Sequence, residues 1–183
     1  MAIYDLRPWM STPETITSCP PGLEYLYQTN QLTVCQYFDP LGGRDVLALH
    51  KALKCSCCWS RCCLQKLKVE APPGETIGYV YQYFHPFLPK FKIKNENKEE
   101  IMKIRGPWLV FSCIRDLNFN LLTLDEEMVI GKISKQYSGF VRGILTNGEK
   151  FGIQFPFDLD VKIKALMLGA TFLIDYMYFE LWP

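Results

Sequence analysis

Hydrophobic and polar residues alternate with a period of two along several short stretches of the chain. The pattern is clear in LQKLKVEA (64–71), KFKIKNE (90–96) and LNFNL (117–121). Because successive side chains of a β-strand point to opposite faces, this alternation predicts half-buried antiparallel strands. Two further stretches, IGYVYQYF (77–84) and PWLVFSC (107–113), are apolar on both faces and predict strands that are covered on both sides.

The pattern changes near the C-terminus, where residues 158–180 are apolar nearly all round and contain no proline. Asp158 and Asp160 suit a helix start, and a helix of this length would be about 34 Å long. A membrane span needs about 20 mainly apolar residues, but the uncharged stretch 165–174 ends at Asp175. A buried core helix is therefore favoured, and a membrane helix stays open as the alternative. The residues that mark this segment are Ala165, Leu168, Phe172 and Asp175.

Many short strands followed by one apolar helix predict a mainly β protein with a C-terminal helix, in which a barrel or curled sheet encloses the helix. The 183 residues suit one domain, and no repeat or glycine-serine linker divides them. Residues 1–20 are rich in Pro, Ser and Thr and predict a flexible tail. The predicted domain is 21–183.

Composition excludes some classes of protein. Hydrophobic residues make up 49% of the chain and charged residues 21%, which argues against wholesale disorder. The net charge of +1 gives no overall attraction to nucleic acid or to an anionic membrane. The first residues show no secretory signal, so we expect a reducing compartment in which disulfides are rare.

Five cysteines fall within nine positions of the segment KCSCCWSRCCL. They are Cys55, Cys57, Cys58, Cys62 and Cys63. Adjacent cysteines pair badly as disulfides, and the doublets fit one tetrahedral zinc site poorly, although zinc stays open as the minority alternative. Burial as small hydrophobic residues fits poorly between charged neighbours. Basic residues and Trp59 flank the thiols, so S-palmitoylation is the favoured hypothesis.

Several motifs together resemble the phospholipid scramblase family. They are PPGLEYL (20–26), RCCLQKLKVEAPPGETIGYVYQYFHPFLPKF (61–91), GKISKQYSGF (131–140), FGIQFPFDLDVKIKA (151–165) and MLGATFLIDYMYFE (167–180). The resemblance implies a tubby-like antiparallel β-barrel around a hydrophobic α-helix. It also implies calcium-dependent, ATP-independent movement of membrane phospholipids between leaflets, without covalent chemistry. The chain is shorter than these relatives between 26 and 38, so some early strands are expected to be missing.

The same resemblance implies where the protein acts and which partners it has. It indicates palmitoylation of the five cysteines and a location at the cytoplasmic face of the plasma membrane. A single-pass type II topology and a nuclear location are left open, as is a homo-oligomer. The alternative function is a palmitoylated interaction or transcription-modulating protein that moves no lipid.

The segment NGEKFGIQFPFD (147–158) aligns with the calcium site proposed for the family. Its candidate ligands are Asn147, Glu149 and Asp158, but two positions that should carry ligating oxygens are phenylalanines. A plain alternative is a hairpin turn at Asn147-Gly148, followed by a strand and by Asp158 as a helix cap. We therefore expect a calcium site here to be weak.

The segment GKISKQYSGF also matches an unconventional nuclear-import segment of the family. The matching residues are Gly131, Lys132, Ile133, Ser134 and Lys135, and their plain interpretation is a strand. The sequence shows no stripe of aromatic and basic residues, so nucleic acid is an unlikely partner. The acidic turn at 125–127 is interpreted as solvated surface, and neither His50 nor His85 has a catalytic partner at motif spacing.

Overall fold

The computed structural model describes residues 19–35, 45–51, 64–108, 117–136 and 150–179. Within these ranges, nine strands form one antiparallel sheet. The strands are β1 (Gln31–Cys35), β2 (Ala48–Lys51), β3 (Lys66–Glu70), β4 (Thr76–Tyr83), β5 (Lys90–Asn95), β6 (Glu100–Arg105), β7 (Leu117–Leu122), β8 (Val129–Gln136) and β9 (Lys150–Gln154).

The order of the strands is β1-β9-β8-β7-β6-β5-β4-β3-β2. Neighbours in the central part of the sheet are neighbours in sequence, but β1 pairs with β9, so the first and last strands meet at one edge of the sheet. The sheet is not closed, because β1 and β2 each have one partner strand in the part of the chain that the structure describes. The prediction of a mainly β fold with one C-terminal helix is confirmed.

Two helices accompany the sheet. The short α1 (Glu24–Tyr27) precedes β1, and α2 (Val161–Tyr178) follows β9. Helix α2 lies against β3, β4, β9 and α1, and most of its side chains are buried. The interpretation of this segment as a core helix is confirmed. No described helix has both the length and the apolar character needed to cross a membrane.

Helix α2 begins two residues later than the suggested Asp158 cap allows. The N-cap residue is Asp160, whose side chain accepts a hydrogen bond from the backbone N–H of Lys162 at 2.7 Å. Asp158 is exposed in the preceding turn. Asp160 satisfies one of the backbone donors that every helix start leaves without an intrahelical acceptor.

The core lies between one face of the sheet and α2. Inward-facing residues of successive strands are almost fully buried, among them Val69, Val80, Ile93, Phe119, Ile133 and Ile153. The helix approaches the sheet closely at Gly169, where an added Cβ would stand 2.8 Å from Cγ2 of Val69. The alternation in the sequence therefore marks the face that contacts the helix, as a half-buried strand requires.

Candidate functional site

Helix α2 carries a fully buried cation near its start. The Nζ of Lys164 donates hydrogen bonds to the backbone carbonyls of Leu26, Thr29 and Phe157, each at 2.9 Å. Burial lowers the pKa of Lys164 below its ordinary value, whereas the charges of Asp158 and Asp160 act in the opposite direction. Because three acceptors surround the ammonium, this lysine ties α1 and the β9–α2 connection to the helix.

The predicted helix residues lie in the core rather than on a lipid-facing surface. Ala165, Leu168 and Asp175 are buried, and Phe172 is half-buried. Asp175 lies in the last turn of α2, where its backbone carbonyl accepts from Phe179 N at 2.9 Å. The sheet therefore covers the residues that a membrane helix would present to lipid.

The predicted calcium segment is only partly described. Asn147 and Glu149 lie outside the described residues, and Asp158 is exposed. Residues 150–154 form β9, and the two phenylalanines at ligand positions, Phe151 and Phe155, are buried in the core. An EF-hand loop does not fit this extended strand, since such a loop wraps its ligands around one ion.

The alternative turn at Asn147-Gly148 lies outside the described residues. The strand predicted to follow it is confirmed as β9, which pairs on its two sides with β8 and β1. Lys150 lies opposite Gln136 of β8. Both hydrogen-bonding edges of β9 are thus occupied.

The import-like segment forms the middle of β8, which confirms its plain interpretation as a strand. Ile133 is buried and Lys132 is exposed, as the alternation predicts. Ser134 Oγ donates to the carbonyl of Gly152 at 3.2 Å, and Lys135 Nζ lies 3.5 Å from the ring centroid of Phe179. Nuclear import stays a prediction.

The five cysteines of the palmitoylation hypothesis lie outside the described residues. The residues on either side of that segment are described: β2 ends at Lys51, and β3 begins at Lys66. Lys51 lies opposite Leu67, so both strand ends are at the same end of the sheet. Among the described residues there is no cluster of three or more potential metal-ligating side chains.

The outer face of the sheet carries a ladder of lysines and tyrosines that the sequence did not reveal. Tyrosines of β4 stand between lysines of β3 and β5 in direct cross-strand pairs. The pairs are Lys66 with Tyr81, Lys68 with Tyr79, Lys94 with Tyr79, Lys92 with Tyr81 and Lys90 with Tyr83. The expectation that the protein lacks an aromatic and basic stripe was therefore wrong. The residues of this stripe are separated in sequence and meet only through strand pairing.

Ammonium groups cover the faces of these tyrosine rings. Lys66 and Lys94 lie 5.3 and 5.4 Å from the ring centroid of Tyr81. Lys92 and Lys90 lie 5.1 and 5.8 Å from that of Tyr83. Such cation–π contacts fix the cations on the surface of the sheet. We call this surface, formed by the outward residues of β3 to β6, the lysine–tyrosine face.

Three carboxylates interrupt the lysine–tyrosine face. Glu126 lies in the turn between β7 and β8, and it pairs with Lys90 at 2.7 Å and with Lys103 at 3.2 Å. These lysines lower the pKa of Glu126 to about 2, against the effect of burial. Tyr83 also donates its hydroxyl to Glu126 at 3.3 Å. The interpretation of the acidic turn as solvated surface was therefore wrong for this residue.

The second carboxylate, Glu70, receives hydrogen bonds from three groups. Lys68 Nζ lies 2.6 Å from Oε1, Gly74 N 2.9 Å from Oε2 and His50 Nε2 3.2 Å from Oε2. The hydrogen bond from Lys68 is the main reason why the pKa of Glu70 is lowered to about 2. His50 thus has a carboxylate partner that its sequence position did not indicate. The third carboxylate, Glu100, pairs with lysines of β5.

Aromatic side chains project from one end of the sheet, at which β4 and β6 finish and β5 begins. Phe87 and Trp108 are 62% and 64% exposed, and their rings stack with centroids 5.1 Å apart and an interplanar angle of 7°. Phe84 is 41% exposed at the same place. We call these three residues the aromatic end. The backbone N–H groups of Phe87 and Leu88 donate to Nδ1 of His85, which shapes the β4–β5 turn.

The structure thus belongs to the mainly β proteins in which an open antiparallel sheet packs against a buried apolar helix, and its outer face is basic. The sequence model of one such family, Scramblase, matches residues 38–181. The chain therefore belongs to the phospholipid scramblase family. No solved structure matches the chain.

Three relatives illustrate the similarity. The chain is 44% identical to phospholipid scramblase 1 of Mus musculus over 223 residues, which cover 94% of this chain and 68% of the relative. It is 40% identical to phospholipid scramblase 2 of Homo sapiens over 94% of this chain and 75% of the relative. It is 51% identical to phospholipid scramblase family member 5 of Homo sapiens over 75% of this chain and 51% of the relative.

The lengths of these alignments reveal an internal difference. An alignment over 223 residues that uses 94% of a 183-residue chain leaves about 50 residues of mouse scramblase 1 without a counterpart (223 minus 94% of 183). The alignment to family member 5 covers 138 residues with 75% of the chain, so it needs almost no gap. A shortened chain agrees with a sheet that is open among the described residues.

Proposed function

We propose that this protein moves phospholipids between the two leaflets of a membrane, in a calcium-dependent process that needs no ATP. The observation that supports the proposal is the 44% identity to phospholipid scramblase 1 of Mus musculus over 94% of the chain. Movement of an intact lipid breaks no covalent bond, so the protein would not act as an enzyme. The proposed location is the cytoplasmic face of the plasma membrane.

Acylation is proposed as the anchor. The five cysteines between 55 and 63 would carry fatty chains, each contributing about 0.8 kcal/mol per buried methylene group. One chain anchors a protein only marginally, whereas two or more hold it firmly. Basic residues at both borders of the segment, including Lys51 and Lys66, support the proposal because they suit anionic headgroups.

Calcium would have to bind in a geometry other than an EF-hand loop. Asp158 is exposed and near Asp160, so it is available as an oxygen ligand. Its partners in the proposal, Asn147 and Glu149, are the other oxygen donors of the aligned segment. Because these side chains offer few ligands, weak binding is expected.

A second function is favoured by one structural observation. Helix α2 is packed inside the sheet, and a helix in that position gives lipid headgroups no path through a bilayer. A palmitoylated protein that binds membranes or partner proteins without moving lipid would need no such path. Both functions share the membrane anchor and differ in lipid transport.

Reconstitution in vesicles separates the two functions. Purified protein is placed in vesicles with a fluorescent phospholipid, and a membrane-impermeant reductant measures how much label reaches the outer leaflet. The transport function predicts faster exchange with calcium than without it, and a slower response for the Asp158→Asn variant. Exchange at the rate of protein-free vesicles under both conditions would remove the transport proposal and leave the second function.

The anchor is tested separately by acyl labelling in cells. Hydroxylamine-sensitive labelling of the natural chain, and none in a variant with all five cysteines replaced by serine, supports acylation. Zinc, the alternative for the same thiols, is measured by elemental analysis of the purified chain. Stoichiometric zinc together with absent acyl label would contradict the acylation proposal.

A further inference from the structure

The aromatic end differs from ordinary exposed apolar residues. Single hydrophobic side chains are common on protein surfaces, but contiguous apolar patches mark binding sites. Phe87 and Trp108 are each more than half exposed and stack on one another. Nδ1 of His85 accepts hydrogen bonds from the backbone N–H groups of Phe87 and Leu88, which hold the β4–β5 turn. The structure therefore presents the two rings together, with Phe87 on a turn of defined shape.

The aromatic end adjoins the lysine–tyrosine face, because both are formed by β4, β5 and β6. The face has seven cationic side chains against three carboxylates. The cations are Lys66, Lys68, Lys90, Lys92, Lys94, Lys103 and Arg105. The local excess of positive charge contrasts with the net charge of +1 for the whole chain. A basic face beside exposed Trp and Phe rings is the combination that suits a membrane interface.

We propose that the aromatic end and the lysine–tyrosine face together form a peripheral membrane contact for a bilayer surface that contains anionic phospholipids. The rings of Phe87 and Trp108 enter the interface between headgroups and acyl chains. The lysines of β3 and β5 face the phosphate and carboxylate groups of the lipids. This inference deepens the proposed function, on which it rests, by naming the surface that meets the lipid.

Other features of the molecule lie at the same end of the sheet. β2 ends and β3 begins there, so the chain that carries the five cysteines leaves and enters the described structure at this end. Helix α2 also finishes there, where the ring of Tyr178 lies 6.5 Å from that of Phe91. Fatty chains on the cysteines and the aromatic end would then reach the same bilayer surface.

A membrane explains the face better than a nucleic acid does. Proteins that bind single strands stack bases on open aromatic faces. Here ammonium groups already cover the rings of Tyr81 and Tyr83. The exposed rings that remain, Phe87 and Trp108, stand at the end of the sheet and already stack on each other. Phosphate contacts alone would leave those two rings unused.

Vesicle flotation with the full chain tests the proposal without acylation or transport. The protein is produced in bacteria, so that its cysteines carry no fatty chains, and is mixed with vesicles of phosphatidylcholine alone or with roughly 30% phosphatidylserine at low salt. Stronger binding to the phosphatidylserine vesicles is expected. Phe87→Ala/Trp108→Ala should weaken binding at least about tenfold because apolar area is lost from the interface. Lys66→Ser and Lys94→Ser should each weaken it about fivefold.

The matched control is Tyr27→Ala/Phe157→Ala, with one residue in α1 and the other in the β9–α2 connection. These side chains are 48% and 60% exposed, so the control removes comparable aromatic surface, and neither residue belongs to β3–β6 or to the aromatic end. Its binding should match that of the natural chain. Equal binding by the aromatic double variant, or equal binding to both kinds of vesicle, would overturn the proposal.

A single-stranded oligonucleotide added as competitor gives a further outcome. Weak competition by the oligonucleotide supports membrane docking. If the protein bound the oligonucleotide more tightly than the vesicles, the face would serve nucleic acid and the proposal would be overturned. Flotation measures binding without calcium, and leaflet exchange is measured separately. A chain that floats but does not exchange lipid would contradict the transport function and leave this contact intact.

Discussion

Replacement of Lys164 by methionine should destabilise the protein strongly, although methionine has a similar length and no charge. The substitution removes the donor that three backbone carbonyls share, each 2.9 Å from Nζ. The carbonyl of Leu26 also accepts from the backbone N–H of Thr29, so it keeps a partner. The carbonyls of Thr29 and Phe157 would be left without this buried donor.

Each buried acceptor without a donor costs about 1–3 kcal/mol, and relief from burying an ammonium offsets part of the sum. We therefore expect Lys164→Met to lower the free energy of unfolding by about 3 kcal/mol. For a chain of this length, the melting temperature should fall by about 6–12 °C. Thermal unfolding followed by circular dichroism measures the change.

Lys162→Met is the matched control, because Lys162 lies two residues before Lys164 in α2 and pairs with Glu96 at 3.2 Å on the surface. Surface ion pairs contribute about 0–1 kcal/mol, so this variant should melt close to the natural chain. Equal melting temperatures for the two variants would refute the assigned role of Lys164 in tying α1 to α2.

Three further predictions follow from single contacts. The pKa of Glu126 is lowered to about 2 in the folded protein, so the ionised Glu126 stabilises the fold fully above its ordinary pKa of 4.5, and this contribution is lost as the pH falls toward 2. The Glu126→Gln variant should therefore lose less stability than the natural chain over that pH range, in an acid titration followed by fluorescence. Gly78→Ala should lower the free energy of unfolding, measured in urea, by about 2 kcal/mol, because the new Cβ would press against the carbonyl oxygen of Lys94. Unchanged stability would contradict the close approach of β4 and β5 at Gly78. Asp160→Ala should lower the free energy of unfolding by about 1 kcal/mol and Asp158→Ala by less than half of that, because Asp160 caps α2. A larger loss for Asp158→Ala in urea unfolding would identify Asp158 as the cap instead.

Local patterns in the sequence predicted the elements of this fold well. Alternation placed strands at β3, β5 and β7, and the apolar segment 158–180 contains α2. Inward positions such as Phe91 and Phe119 could be recognised because a period of two assigns them to one face. The end of the uncharged stretch at Asp175 correctly favoured a core helix over a membrane span.

The contacts that form the candidate site depend on strand register, which no local pattern reveals. Lys66 and Tyr81 are fifteen positions apart, and they become neighbours only when β3 pairs with β4 in one register. Glu126 reaches Lys90 across thirty-six positions for the same reason. The buried Lys164 carried no signal, since its three acceptors are backbone carbonyls that any sequence supplies. Membership of the family could be recognised because its motifs are contiguous stretches.

Hydrogen exchange with and without vesicles tests most directly the claim that one end of the sheet meets the membrane while α2 stays in the core. The full chain is compared free and bound to vesicles with phosphatidylserine, and exchange is resolved by peptide mass spectrometry. Binding should slow exchange in residues 84–89 and 106–108, leave α1 at Glu24–Tyr27 unchanged, and leave the amides of Val161–Tyr178 as protected as in the free protein. Faster amide exchange in α2 on vesicle binding, with no change in exchange at residues 84–89, would show that the helix leaves the sheet to enter the bilayer and would contradict the claim.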